Sequence, residues 1–112
     1  MKLLNKDVDG ITVIELEGSV LGGPDATILN DMLHSLTEQR KKKIVVDLSG
    51  VQGMNSSGLS MLITGLTTMK NAGGDLKIAA ASKKIEGLLA ITKLTTVFEL
   101  YPSVRMAVAS FA

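Results

Sequence analysis

Ile44-Val45-Val46, inside KKKIVVDL, places three apolar residues in a row with no polar residue between them. A strand with one face in water alternates apolar and polar residues. A strand without that alternation is covered on both faces, as in a parallel sheet flanked by helices. The rest of the chain must therefore supply helices to cover this strand.

It does so in regular order. LLNKDV (3–8) is a short first strand, and Asp9-Gly10 is a strong two-residue hairpin signal. ITVIELE (11–17) alternates, with Thr12, Ile14 and Leu16 on one face and Ile11, Val13 and Glu15 on the other. These two segments read as an antiparallel hairpin. GSVLGGP (18–24), with three glycines and a proline, reads as a loop. Pro24 and Asp25 suit a first helical turn. Ile28, Leu29, Met32, Leu33 and Leu36 then form an amphipathic stripe on a helix ending near Arg40. After the 44–48 strand, Leu59, Leu62, Ile63, Leu66 and Met69 line one face of a helix of about four turns. Asn71 to Gly74 stops it. DLKIAAA (75–81) is a strand, and 82–94 is a short helix with Ile85, Leu88 and Leu89 inward, Ser82 as its cap and Gly87 weakening it. VFELY (97–101) is a last strand. Pro102 and Ser103 open a final helix that turns Val104, Ala107, Val108 and Phe111 inward. The order β-β-α-β-α-β-α-β-α implies an α/β fold with βαβ units, right-handed crossovers and a largely parallel sheet.

Composition removes several function classes. At 112 residues the chain supports one domain with one core, residues 1–112 together. A net charge of +1 argues against a dedicated nucleic-acid binder, and 3% aromatic residues provide no stacking platform for bases. No apolar stretch reaches the length of a bilayer span, so no membrane insertion is expected. MKLLNKDVDG lacks the apolar core of a secretory signal, which makes a cytoplasmic location the expectation. The chain has no cysteine and one histidine, His34, so neither a metal site nor a cofactor is implied.

Ligands and partners of open α/β sheets gather beyond the carboxyl ends of the strands. Three loops are expected there: Gly18 to Pro24, Leu48 to Ser56, and Ala80 to Ser82. The second carries Met54-Asn55-Ser56-Ser57-Gly58 to the mouth of a helix. The first backbone N–H groups of that helix lack helical partners and favour an anion by roughly 0.3–1 kcal/mol. A phosphate on a serine here, worth about −1.5 to −2 charges, would be tolerated by the fold. The structural account competes with this. Asn and Ser are preferred caps, so Asn55 or Ser56 could simply cap the helix. Capping needs one such residue, however, and a small Gly58 leaves Ser57 accessible.

Other features read as structure. Arg40-Lys41-Lys42-Lys43 lies at a helix C-terminus, where cations complement the dipole. His34 lies beside a core stripe with no visible partner. Met69 is core. Met54 and Met61 fall near the serines, where exposed methionine would suit an adaptable contact surface. GSVLGG matches neither the P-loop nor the dinucleotide-binding spacing.

DLSGVQGMNSSGLSMLI (47–63) resembles the signature of STAS-domain proteins of the anti-sigma factor antagonist type, in which a strand ending Asp-Leu leads through a short loop to Asp-Ser-Ser-Gly-Leu opening a helix. The resemblance extends to the N-terminal hairpin, the glycine after strand two, the Gly-Gly before strand four and the length. It implies a STAS fold: a mostly parallel sheet of four to five strands, an N-terminal antiparallel hairpin and about four helices. It also implies a non-enzymatic regulator of sigma-factor-dependent transcription. The phosphate acceptor carries over to Ser57, with Ser56 as second choice. Met54, Asn55, Ser56, Gly58 and Met61 form the expected partner-binding surface. The implied partners are an anti-sigma factor serine kinase with a histidine-kinase-like ATPase fold, bound when Ser57 is unphosphorylated, and a serine phosphatase. The chain itself is expected as a monomer or weak dimer. Two positions depart from the family pattern: Asn55 stands where Asp is usual, and Gly18-Ser19-Val20-Leu21, followed by Gly22-Gly23, stands where a Gly-x-hydrophobic-Asp run is common. The alternative is a STAS docking subunit of a transporter or stress-sensing assembly, without phosphorylation. A serine hydrolase using Ser57 fails because the only histidine lies on another helix and no Gly-x-Ser-x-Gly elbow is present.

Overall fold

A computed structural model describes residues 1–93 and 97–112. In chain order the elements are β1 (Lys2–Val8), β2 (Ile11–Val20), α1 (Pro24–Glu38), β3 (Lys43–Met54), α2 (Ser56–Asn71), β4 (Asp75–Ala79), α3 (Lys83–Ile91), β5 (Leu100–Tyr101) and α4 (Val104–Ala109). The five strands lie side by side in the order β1-β2-β3-β4-β5. β1 pairs antiparallel with β2, and every other neighbouring pair is parallel.

The central strand is covered on both faces, as its unbroken apolar run requires. Ile44 and Val46 point into the main core with Ile14, Leu16, Leu76 and Ile78, against Leu29, Leu33 and Leu36 of α1, Leu62, Leu66 and Met69 of α2, and Ile85 and Leu89 of α3. Val45 points the other way, into a smaller cluster with Ile11, Val13 and Ala79 that Ala107 and Val108 of α4 cover. Burying each large aliphatic side chain contributes about 1.5–3 kcal/mol, which makes the face under three helices the main source of stability. No helix among the described residues is long and apolar enough to cross a membrane.

Several boundaries differ from the sequence reading. Gly18 to Val20 is strand, not loop: Val20 is fully buried and pairs with Met54. Gly18, with φ of +87°, sits at a register shift, so the glycine makes a bulge and the strand continues past it. The expected loop from Leu48 to Ser56 is likewise ladder, because β3 pairs with β2 as far as Met54. Ile28 is 51% exposed rather than part of the core stripe; the buried stripe of α1 runs through Leu29, Leu33 and Leu36 at helical spacing, and Ile28 falls beside it. β4 stops at Ala79 because Ala80 adopts a left-handed φ of +57°. The last strand is two residues, not five, since Phe98 turns into the main core and Val97 faces solvent. The expected end of the third helix at Leu94 lies outside the described residues.

Candidate functional site at the mouth of the second helix

β2 and β3 end together, which fixes the height of the turn that follows. Val20 pairs with Met54, and the Asn55 N–H donates to the Val20 carbonyl at 3.4 Å. Asn55 is extended (φ −108°) and caps α2: its Oδ1 accepts from the Gly58 N–H at 2.8 Å. Its carbonyl accepts the first intrahelical bond, from Leu59 N–H at 3.0 Å. Capping therefore belongs to Asn55 and not to Ser56.

Ser56 and Ser57 are the first two residues of α2, and both are exposed. No side-chain hydrogen bond to another described residue occupies either hydroxyl. α2 has no acidic residue in its first turn, so its positive end is uncompensated from within the helix. Ser57 also faces the loop after β2. A Cβ on Gly22 would stand 2.7 Å from the Ser57 Cβ, and Gly22 holds a left-handed φ of +80°. Glycine is required at 22 on both counts. The carbonyls of Gly22 and Gly23 accept from Asp25 N–H and Ala26 N–H at 3.2 and 3.1 Å, which ties this loop to the first turn of α1. Between α1 and α2, a groove of about 210 Å³ runs from Ser57 past Ser60, Met61 and Thr64, with Ala26 and Asn30 opposite.

Two expected contact residues have different roles. Gly58 is buried. A Cβ there would collide with the Val20 carbonyl, so its glycine permits close approach of helix to strand rather than opening space beside Ser57. Met61 is 4% exposed and belongs to the main core, in correction of its expected exposure. Met54 is half-buried and packs against the same core. His34 is exposed. Arg40 to Lys43 follows the end of α1, and Lys41 pairs with Asp7 at 3.3 Å. The sequence reading did not single out the packing of Gly22 on Ser57, nor the Ser60 and Thr64 hydroxyls along the groove. Their spacing from Ser57, three and seven residues on, was the available signal.

A family model of the STAS domain matches residues 3–107. BtrV of Bordetella bronchiseptica, named as a candidate anti-sigma factor antagonist, is 22% identical over 111 residues, covering 99% of this chain and 95% of that protein. The crystal structure of an anti-sigma factor antagonist from Mycobacterium paratuberculosis superposes with a TM-score of 0.82 at 24% identity, covering 97% and 92% of the two chains. The Bacillus cell fate determinant SpoIIAA in its phosphorylated form gives 0.75 at 13% identity, covering 99% and 100%. A sulfate transporter family protein of Wolinella succinogenes gives 0.81 at 17%, covering 92% and 85%. At these identities the structures share the fold, and the family match spans nearly the whole chain: this protein belongs to the STAS-domain family.

Proposed function

We propose that this protein is an anti-sigma factor antagonist whose Ser57 is the phosphate acceptor. One observation carries the reading. Asn55 does the capping, which leaves the Ser57 hydroxyl exposed, without an internal partner, on the positive end of α2. The names of the relative from Bordetella and the structure from Mycobacterium, and the phosphorylated state of the Bacillus protein, support it. The chain acts as a non-enzymatic regulator in this reading. An anti-sigma factor serine kinase with a histidine-kinase-like ATPase fold supplies ATP and the base. Ser57 Oγ bonds to the γ-phosphorus, the bond to the β-phosphate oxygen breaks, ADP leaves, and the hydroxyl proton passes to the kinase. A serine phosphatase reverses the modification by hydrolysis. Met54, Asn55 and Ser56 supply surface for the kinase, while Gly58 and Met61 set its shape from below.

The docking reading keeps one observation in its favour. Asn55 brings no charge where the family pattern has an acid, and the Wolinella neighbour belongs to a transporter family. Calorimetry with the anti-sigma factor separates the two. Ser57→Ala is expected to bind as the parent does. Ser57→Asp is expected to bind at least about tenfold more weakly, since a like charge at an interface costs several kcal/mol. Equal affinities, with both variants folded by circular dichroism, would place residue 57 outside the interface and favour docking without phosphorylation.

A further inference from the structure

A second groove lies beside Met54. It measures about 300 Å³ and is lined by Met54, Ile85, Gly87, Leu88 and Ile91, with Lys83 and Lys84 completing it. Ile91 is 82% exposed, more than any other large apolar side chain among the described residues. Leu88 is only half-buried. Gly87 is unusual in this setting. A Cβ at 87 would meet nothing within 4 Å, and its backbone is not left-handed. Glycine weakens a helix interior, and no packing among the described residues requires it here. A missing side chain on the lip of an apolar groove is what close approach by another backbone requires. The charged lining residues are both lysines, and Glu86, the acid of α3, is not among the lining.

We infer that this groove seats an acidic amphipathic helix of the anti-sigma partner, packed over Gly87 with its apolar stripe on Leu88 and Ile91 and its carboxylates at Lys83 and Lys84. The inference rests on the antagonist reading and deepens it. Met54 directly precedes Asn55 and joins the groove to the mouth of α2, so one partner covers both. The partner's acidic surface that the lysines attract is then the surface a phosphate on Ser57 repels. Helix-in-groove recognition uses this combination of apolar anchors and rim charges.

The test titrates isotope-labelled protein with two helical peptides that share one leucine stripe, the remaining positions being Glu in one and Lys in the other. The Glu peptide is expected to shift the amides of Met54 and 85–91, with an affinity that falls as salt rises. The Lys peptide is expected to shift none of them. Ile91→Asp, folded by circular dichroism, is expected to weaken the Glu peptide at least about tenfold. With the anti-sigma factor, the double variant Lys83→Glu, Lys84→Glu is expected to bind about tenfold more weakly, mainly through slower association. Absence of shifts, equal shifts with both peptides, or shifts confined to the α1–α2 groove would overturn the inference. So would ultracentrifugation showing the parent dimeric and Ile91→Asp monomeric, since a second copy would then fill the groove. The peptide arms need no kinase. Failure of Ser57→Asp to weaken the kinase would remove the antagonist reading while leaving the groove's own result legible.

Discussion

Three helices of this protein begin beside a serine, and they use it differently. At α3, Ser82 Oγ accepts from Ile85 N–H at 3.2 Å; at α4, Ser103 Oγ accepts from Met106 N–H at 3.2 Å. In both, the serine is spent on the fold. At α2 the same bond is made by Asn55, and two serines follow it inside the first turn with their hydroxyls open. A helix start exposes several N–H groups, but a single capping side chain satisfies the one that matters most. With Asn55 as the cap, the two serine hydroxyls are surplus to the fold. This surplus at α2 is what marks the candidate site, and it is absent at α3 and α4.

The comparison can be broken by mutation. The largest effect is expected from Gly58→Ala, which forces a methyl against the Val20 carbonyl. A clash with backbone has no flexible end to yield, so a loss of about 1–3 kcal/mol or more is expected by urea denaturation. A neutral result would mean that α2 is not pinned to the end of β2. Asn55→Ala and Ser82→Ala remove caps of the same kind and are each expected to cost about 0.5–2 kcal/mol, with Asn55 the larger because its bond is shorter. The smallest effect is expected from Ser57→Ala, within about 0.5 kcal/mol of the parent. A cost at Ser57 equal to that at Asn55 would erase the distinction between the helix mouths.

The sequence carried the frame of this fold clearly. The unbroken Ile44-Val45-Val46 run required cover on both sides, and α1, α2 and α3 against α4 provide it. The hairpin at Asp9-Gly10 followed from turn chemistry; both residues have positive φ. Glycine misled at Gly18, where it makes a bulge within β2, because composition alone does not distinguish a bulge from a loop. It misled differently at Gly58, whose smallness serves a contact with Val20, 38 residues earlier in sequence and adjacent only through the β2–β3 pairing. Met61 is a similar case. It lies one helical turn after Ser57 on the same side of α2, yet it is 4% exposed, because the neighbouring core packs around it. At the site, the motif named Ser57 and left Asn55 and Ser56 open as caps; the hydrogen bond to Gly58 decides between those two.

The most direct measurement is site-resolved mass spectrometry of the parent chain and of Ser57→Ala after incubation with the anti-sigma kinase and ATP. The account predicts one phosphate on the parent, located at Ser57, and none on Ser57→Ala. A phosphate at Ser56 or on another helix, or an unmodified parent in the presence of an active cognate kinase, would contradict it.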